Sequence, residues 1–262
     1  MKRFLLLLAA AFTLSSCAVM QNLNSDRLLQ GGVYIAQALS LTDAQVENYV
    51  SQYIQQLDAQ SEILPENNSY TKRLRKLTQK LDGVNEQPLD FKVYRNNEIN
   101  AFACANGSVR VYTGIMDVMT DDELLGVIGH EMGHVALHHT RTQMQKQMLT
   151  SAALAGIAST GDTIAALTDS QLGELGELIV SAKFSRDMET EADDYGYNYL
   201  CEAGKNPWVL VQSFEKMEAL SGGNSQQSGI TSLFSSHPDT QKRIEHISQR
   251  CLNDGFERPA SK

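Results

Sequence analysis

A chain of 262 residues, 42% of them hydrophobic, is long enough for one domain of generous size and rich enough to build its core. The formal net charge is −9, and it becomes −11, with 20 basic and 31 acidic residues, once Lys2 and Arg3 are set aside as part of a targeting segment. This balance gives no support to nucleic-acid binding, which needs a basic face to displace counterions, so no nucleic-acid partner is expected. The acidity itself calls for no more than solubility.

The N-terminus opens as a targeting segment rather than as fold. Lys2-Arg3 supplies the positive start, and 4–14 is an apolar run too short for a bilayer span, which takes roughly twenty residues. Leu14-Ser15-Ser16-Cys17 resembles the lipobox of bacterial lipoproteins, where the cysteine is lipidated and becomes the new N-terminus. The resemblance implies a signal peptide over 1–16, a lipid on Cys17, a tether over 17–40 and a folded domain over 41–262. Ala18 stands where an Asp would retain such a lipoprotein in the inner membrane. An outer-membrane anchor with the body facing the periplasm is therefore expected. No later segment reads as a span; 147–167 comes closest but is interrupted by Thr150, Ser151, Ser159, Thr160, Asp162 and Thr163.

The first element of the body starts at Thr42-Asp43-Ala44-Gln45, a capping box in which Thr and Gln satisfy each other's amides. Val46, Val50, Tyr53, Ile54 and Leu57 follow at helical spacing, and Leu74, Leu77 and Leu81 mark a second amphipathic helix that Gly83 is placed to end. Phe91-Lys92-Val93-Tyr94 alternates as a strand does. The runs 100–105 and 108–112 then flank Asn106-Gly107, a hairpin signal in which both turn residues take positive φ. A small antiparallel sheet is thus expected just ahead of the next helix.

That helix is announced by a second capping box, Thr120-Asp121-Asp122-Glu123, and its pattern runs unbroken from Leu124 to about Arg141. Residues 143–181 read as further helix with a loop near Gly161. A long helix from about Gly176 to Ala203 is stopped by Gly204, with Pro207 beyond. Another covers 210–220, a polar stretch over 221–236 reads as a mobile loop, and a final helix follows His237-Pro238 over 239–252. After Cys17 the cysteines are Cys104, Cys201 and Cys251, an odd number. A Cys201–Cys251 bridge is the first expectation, with Cys104 as a small buried hydrophobe in a strand.

His130 and His134 lie four apart, so on a helix their imidazoles share a face and can reach one tetrahedral zinc, with Glu131 beside them. Two neutral nitrogens hold the ion, and a carboxylate takes a proton from water that the metal has acidified. Catalytic zinc takes a third protein ligand and leaves one position open. His138 would stand about 6 Å beyond His134 on a straight helix, too far for the same ion. Glu189-Thr190-Glu191-Ala192-Asp193 offers the third ligand instead. Glu189 and Asp193 share a helix face, Glu191 points elsewhere, and Asp193 can orient a ligand histidine as a hydrogen-bond acceptor. His139 reads as a hydrogen-bonding residue at the helix end, and His246 as solvated.

Four features together resemble the zinc metallopeptidase family that includes HtpX, BepA and the CAAX prenyl proteases. They are Asn100-Ala101-Phe102-Ala103 before a glycine hairpin, His130-Glu131-Met132-Gly133-His134, Glu189-Thr190-Glu191-Ala192-Asp193, and the late His237-Pro238. The resemblance implies an α+β, mostly helical, gluzincin-type domain with one zinc on His130, His134 and Glu189, and with Glu131 as general base. It further implies endopeptidase activity on misfolded or unassembled envelope proteins and a link to a BepA-like protease. The strand Asn100, Ala101, Phe102 and Ala103 would border the cleft, where a substrate strand adds to the sheet edge. His237 would act near the metal, either as a fourth ligand displacing water or as a donor to the oxyanion. With the loop 221–236 it would regulate access to the zinc, so a chaperone-like assembly factor with a mostly latent peptidase is the alternative.

Overall fold

The computed structural model describes residues 39–81, 83–155, 184–222, 237 and 240–260. The chain divides into a larger unit, Thr42–Gln143 with Leu167–Lys262, and a smaller one, Met1–Leu41 with Met144–Ala166. In the smaller unit the described residues 144–155 are helical. The expected signal peptide, Cys17 and most of the tether, the segment 156–183 and the loop 223–236 lie outside the described residues.

The larger unit opens with α1 (Asp43–Gln60), whose Thr42–Gln45 capping box forms as the sequence predicts and whose stripe Val46, Val50 and Ile54 is buried. Helix α2 (Ser69–Thr78) is capped by Asn68 Oδ1, which accepts the Tyr70 amide at 2.9 Å. It ends at Thr78 rather than running on to Gly83, because Gly83 opens a strand. Strands β1 (Gly83–Val84) and β2 (Gln87–Pro88) pair across Asn85-Glu86, whose φ values of 48° and 68° are those of a two-residue hairpin turn. Asn85 Nδ2 donates to the carbonyl of Ala136 at 2.7 Å and so caps the end of a later helix.

Strands β3 (Asp90–Tyr94), β4 (Ala101–Ala103) and β5 (Ser108–Tyr112) form one sheet in the order β3-β5-β4. The predicted hairpin is present: β4 pairs antiparallel with β5. The sheet is mixed rather than wholly antiparallel, since β3 pairs parallel with β5. The turn also differs, because only Gly107 has positive φ (79°) and the Gly107 amide donates to the Cys104 carbonyl at 2.8 Å. A three-residue loop ending in a left-handed residue gives this geometry. Only glycine fits at its end, since a Cβ on Gly107 would come within 2.0 Å of the Pro88 carbonyl oxygen.

After the short α3 (Thr113–Val118), helix α4 (Asp121–Ala136) begins at the predicted Thr120–Glu123 capping box, a device worth about 1 kcal/mol. Every residue of α4 from Glu123 to Ala136 is buried. The helix does not run unbroken to Arg141. It stops at Leu137, His138 adopts a left-handed conformation (φ 55°), and α5 (His139–Ala155) starts anew. Helix α6 (Arg186–Glu202) takes Ser185 as its N-cap and ends, as predicted, at Gly204. There the Gly204 amide bonds the Cys201 carbonyl and the Lys205 amide bonds the Leu200 carbonyl, which satisfies the last turn. Helices α7 (Trp208–Gly222) and α8 (Thr240–Asn253) complete the described chain.

The core joins Val93, Val109 and Val111 of the sheet to Leu124 and Ile128 of α4, Leu200 of α6, Leu210 and Phe214 of α7, and Ile247 of α8. Helices α4 and α6 cross along a seam of small residues. A Cβ on Gly133 would lie 2.9 Å from Ala192 Cα, one on Gly129 would lie 3.3 Å from Gly196 Cα, and one on Gly196 would lie 3.0 Å from the His130 amide nitrogen. The two backbones therefore approach as closely as glycine allows, and side chains one turn away from the crossing meet across it. The expected Cys201–Cys251 bridge is not formed. Cys104 and Cys251 are buried free thiols, Cys201 is a half-buried one, and burial pushes Cys251 up to about 12.

Candidate metal centre

Helix α4 brings His130 and His134 to Glu189 and Asp193 of α6 and turns Glu131 towards β4, and all five are buried. His130 Nε2 and His134 Nε2 stand 3.1 Å apart. Glu189 Oε2 is 3.6 Å from His130 Nε2, and Glu189 Oε1 is 3.6 Å from His134 Nε2. His237, just ahead of α8, adds a fourth donor: its Nδ1 lies 3.2 Å from His130 Nε2 and 3.1 Å from Glu189 Oε1. Donors held by a tetrahedral zinc at about 2.0–2.1 Å stand about 3.3 Å from one another. The four donors, His130, His134, Glu189 and His237, fit that ion. The ligand count expected from sequence was three with one open position, and the fourth donor here is a protein nitrogen.

The charges of His134 and Glu189 fit as well. Burial, and then the neighbouring imidazoles of His130, His237 and His139, push His134 well below its ordinary value, so its ring is neutral as a ligand must be. Burial opposes the charged form of Glu189, but His237, Arg243 and His130 hold its carboxyl below the usual range. Burial also opposes the charged form of His237, yet the Glu189 and Glu131 carboxylates outweigh it and push its pKa up.

Glu131 sits at the edge of this set. Its Oε2 accepts the Ala103 amide of β4 at 3.3 Å, whereas its Oε1 is buried without a hydrogen-bond partner, 3.5 Å from His237 Nε2. The predicted edge residues fall at an outer strand. Ala101, Phe102 and Ala103 form β4, an outer strand of the sheet, and buried Asn100 precedes it, its carbonyl accepting the Tyr112 amide.

Asp193 meets His130 Nδ1 at 2.8 Å, as the shared helix face implied. Three further residues support the centre, and two of them, Arg243 and Phe184, escape a reading of sequence. Arg243 of α8 is buried and grips Asp193 through Nε (2.7 Å) and Nη2 (2.6 Å), while its Nη1 reaches Glu189 Oε2 at 2.9 Å. Burial opposes the ionised form of Asp193, but this guanidinium brings it down to about 2. Phe184 stacks on the His134 ring, with centroids 3.9 Å apart. His139, turned back by the break at His138, places its Nδ1 2.9 Å from His134 Nδ1, and its Nε2 reaches Glu191 at 3.1 Å. Glu191 thus points away from the donor set, as expected, yet it is tied to it through His139. One sequence signal was available for Arg243: its place on the buried stripe of α8 with Ile244, Ile247 and Cys251. His246, by contrast, is exposed and pairs with Asp194.

Comparison with known proteins agrees with this centre. The model of "Peptidase family M48" matches residues 65–251. Metalloprotease LoiP of Escherichia coli is 43% identical over 256 residues, covering 97% of this chain and 98% of LoiP. Metalloprotease YcaL of the same organism is 37% identical over 254 residues, 95% of this chain and 98% of YcaL. A Vibrio cholerae protein whose name describes a β-barrel assembly-enhancing protease is 32% identical over 140 residues, 50% of this chain and 28% of that protein. A family match across most of the chain, and likeness over nearly its whole length to two metalloproteases, place it in peptidase family M48, as a zinc metalloendopeptidase.

Proposed function

We propose that His130, His134 and Glu189 hold one zinc ion per chain, that Glu131 is the general base, and that the enzyme removes misfolded or unassembled envelope proteins from the periplasmic face of the outer membrane. The observation that carries the catalytic part is Glu131 Oε1, a buried carboxylate oxygen without a hydrogen-bond partner beside four converging metal donors. Zinc supplies a Lewis acid there, which lowers the pKa of water and polarises a scissile carbonyl. Glu131 Oε1 takes the proton from the attacking water and returns it to the leaving amine, while Ala103 holds Oε2 in place. Among the described residues no strand pairs with the outer edge of β4, and an extended substrate segment adds there, beside the Ala103 amide that Glu131 occupies.

The location rests on the lipobox at Cys17, on Ala18 after it, and on the likeness to a relative named for β-barrel assembly. It also makes a BepA-like protease a natural partner. No helix among the described residues is long and apolar enough to cross a membrane, and the anchor of this reading is the lipid on Cys17. Replacing Cys17 by Ser should release the body from the membrane fraction, and retention there would refute the anchor.

Casein hydrolysis compared between wild type and Glu131→Gln, with zinc content measured in both, tests the chemistry. A loss of about 10³-fold at equal zinc is expected; equal rates would remove Glu131 from its role. A second reading, a mostly latent peptidase in a chaperone-like assembly factor, is favoured by one observation: His237 Nδ1 stands among the donors where water would enter. On that reading His237→Ala raises casein turnover several-fold, and an unchanged rate and pH profile discards it.

A further inference from the structure

His134 directs Nε2 towards His130 and Glu189, so its other nitrogen is committed elsewhere. That nitrogen, Nδ1, lies 2.9 Å from His139 Nδ1, and His139 Nε2 lies 3.1 Å from Glu191 Oε2. With the His139 ring neutral, the roles along this line are forced. An ionised carboxylate only accepts, so His139 carries its proton on Nε2. Its Nδ1 is then a lone pair and also only accepts, so His134 carries its proton on Nδ1. His134 Nε2 is left as a lone pair facing the metal position.

We propose that Glu191 and His139 are positioning residues that set the tautomer of His134, so that its Nε2 is always the ligand nitrogen; the proposal rests on the assignment of His134 as a zinc ligand. The two ligand histidines are supported differently. His130 meets the buried carboxylate of Asp193 directly, at 2.8 Å. On its Nδ1 side His134 reaches a carboxylate through a second imidazole, and that carboxylate, Glu191, is 61% exposed. A purpose-built break makes the link. Five residues along a continuous helix, His139 would point about 140° away from His134 and lie about 7.5 Å further on. The left-handed His138 (φ 55°) turns the chain back and brings the two rings to 5.0 Å between centroids. Phe184, stacked at 22° on the other ring, holds the plane of His134 so that its Nδ1 stays on that line.

The test measures zinc affinity of the full chain by chelator competition, with the nitrogen shifts of His134 read by NMR in the metal-free protein. His139→Leu removes the acceptor and should weaken zinc binding about 10–100-fold. His139→Asn, whose amide oxygen restores an acceptor at that place, should recover most of the loss. Glu191→Lys puts a donor against His139 Nε2 and reverses both tautomers. It should move the His134 proton from Nδ1 to Nε2 and weaken zinc about tenfold. That loss should persist in about 0.5 M salt, where repulsion from an exposed charge is screened. Being exposed, position 191 tests the relay even where His139→Leu fails to fold. Unchanged affinity and unchanged shifts in Glu191→Lys would overturn the relay while leaving the zinc site standing. Unchanged affinity in His134→Ala would instead overturn the ligand assignment beneath it.

Discussion

Arg243 offers one buried guanidinium to two buried carboxylates, Asp193 and Glu189, and rests 4.3 Å above the Phe214 ring. It contributes nothing to the donor set itself, yet it is the fixed positive charge that lets two acids stay ionised out of water. Removing one partner from such a cluster costs about 3–5 kcal/mol, because the charges left behind remain buried and unpaired. Arg243→Met should therefore lower the melting temperature of the zinc-free protein by on the order of 10 °C. Saturating zinc should recover part of the loss by binding the same carboxylate. Thermal unfolding with and without zinc checks this, and an unchanged zinc-free melting point would deny Arg243 its role as counter-charge.

Between elements, the crossing of α4 and α6 decides whether the centre exists. His130 and His134 belong to one helix and Glu189 and Asp193 to the other, and they meet only because Gly129, Gly133, Ala192 and Gly196 put nothing larger than a methyl group between the backbones. Gly133→Val would drive its branches into Ala192, already 2.9 Å from a modest Cβ, and would force the helices apart. The expected result is a folded but destabilised protein, losing 1–3 kcal/mol by the usual cost of overpacking. It should have lost most of its zinc affinity, measured by chelator competition alongside urea unfolding. Retained affinity would show that the seam does not set the spacing.

The sequence carried the parts of this arrangement that are local. A four-residue repeat places His130 over His134, capping boxes at Thr42 and Thr120 start their helices where their side chains dictate, and a left-handed glycine ends α6. It did not carry what depends on distant partners. The break at His138 follows no Gly or Pro, and Arg243 looks in sequence like any basic residue on an amphipathic helix. The parallel pairing of β3 with β5 is hidden because a five-residue strand has the same alternation in either orientation.

In the larger unit as a whole, a polar cluster ties α1 to the sheet. Asp58 on α1 receives Arg110 of β5 at 2.9 Å, Lys92 of β3 at 2.7 Å, and the Tyr94 hydroxyl. Burial works against ionisation of Asp58, but hydrogen bonds from Arg110, Lys92 and Tyr94 outweigh it and hold the carboxyl below its usual range. Because the folded value is depressed, this contribution is complete above the unfolded value of about 3.9 and is lost as pH falls through the folded one. Asp58→Asn should thus unfold at lower urea than wild type at pH 7, with the gap narrowing below about pH 4. Urea midpoints across that range check it, and a gap constant with pH would mean that the Asp58 charge is not what joins helix to sheet.

The seam between α4 and α6 also bears on how such a protein can vary. No residue is smaller than glycine, so every replacement of one of these glycines adds volume where little is free. Gly129, Gly133 and Gly196 hold no metal and move no proton, yet each is as exposed to loss by single mutation as a ligand is. An inventory of the centre limited to groups with reactive chemistry would pass over three of the positions on which it depends.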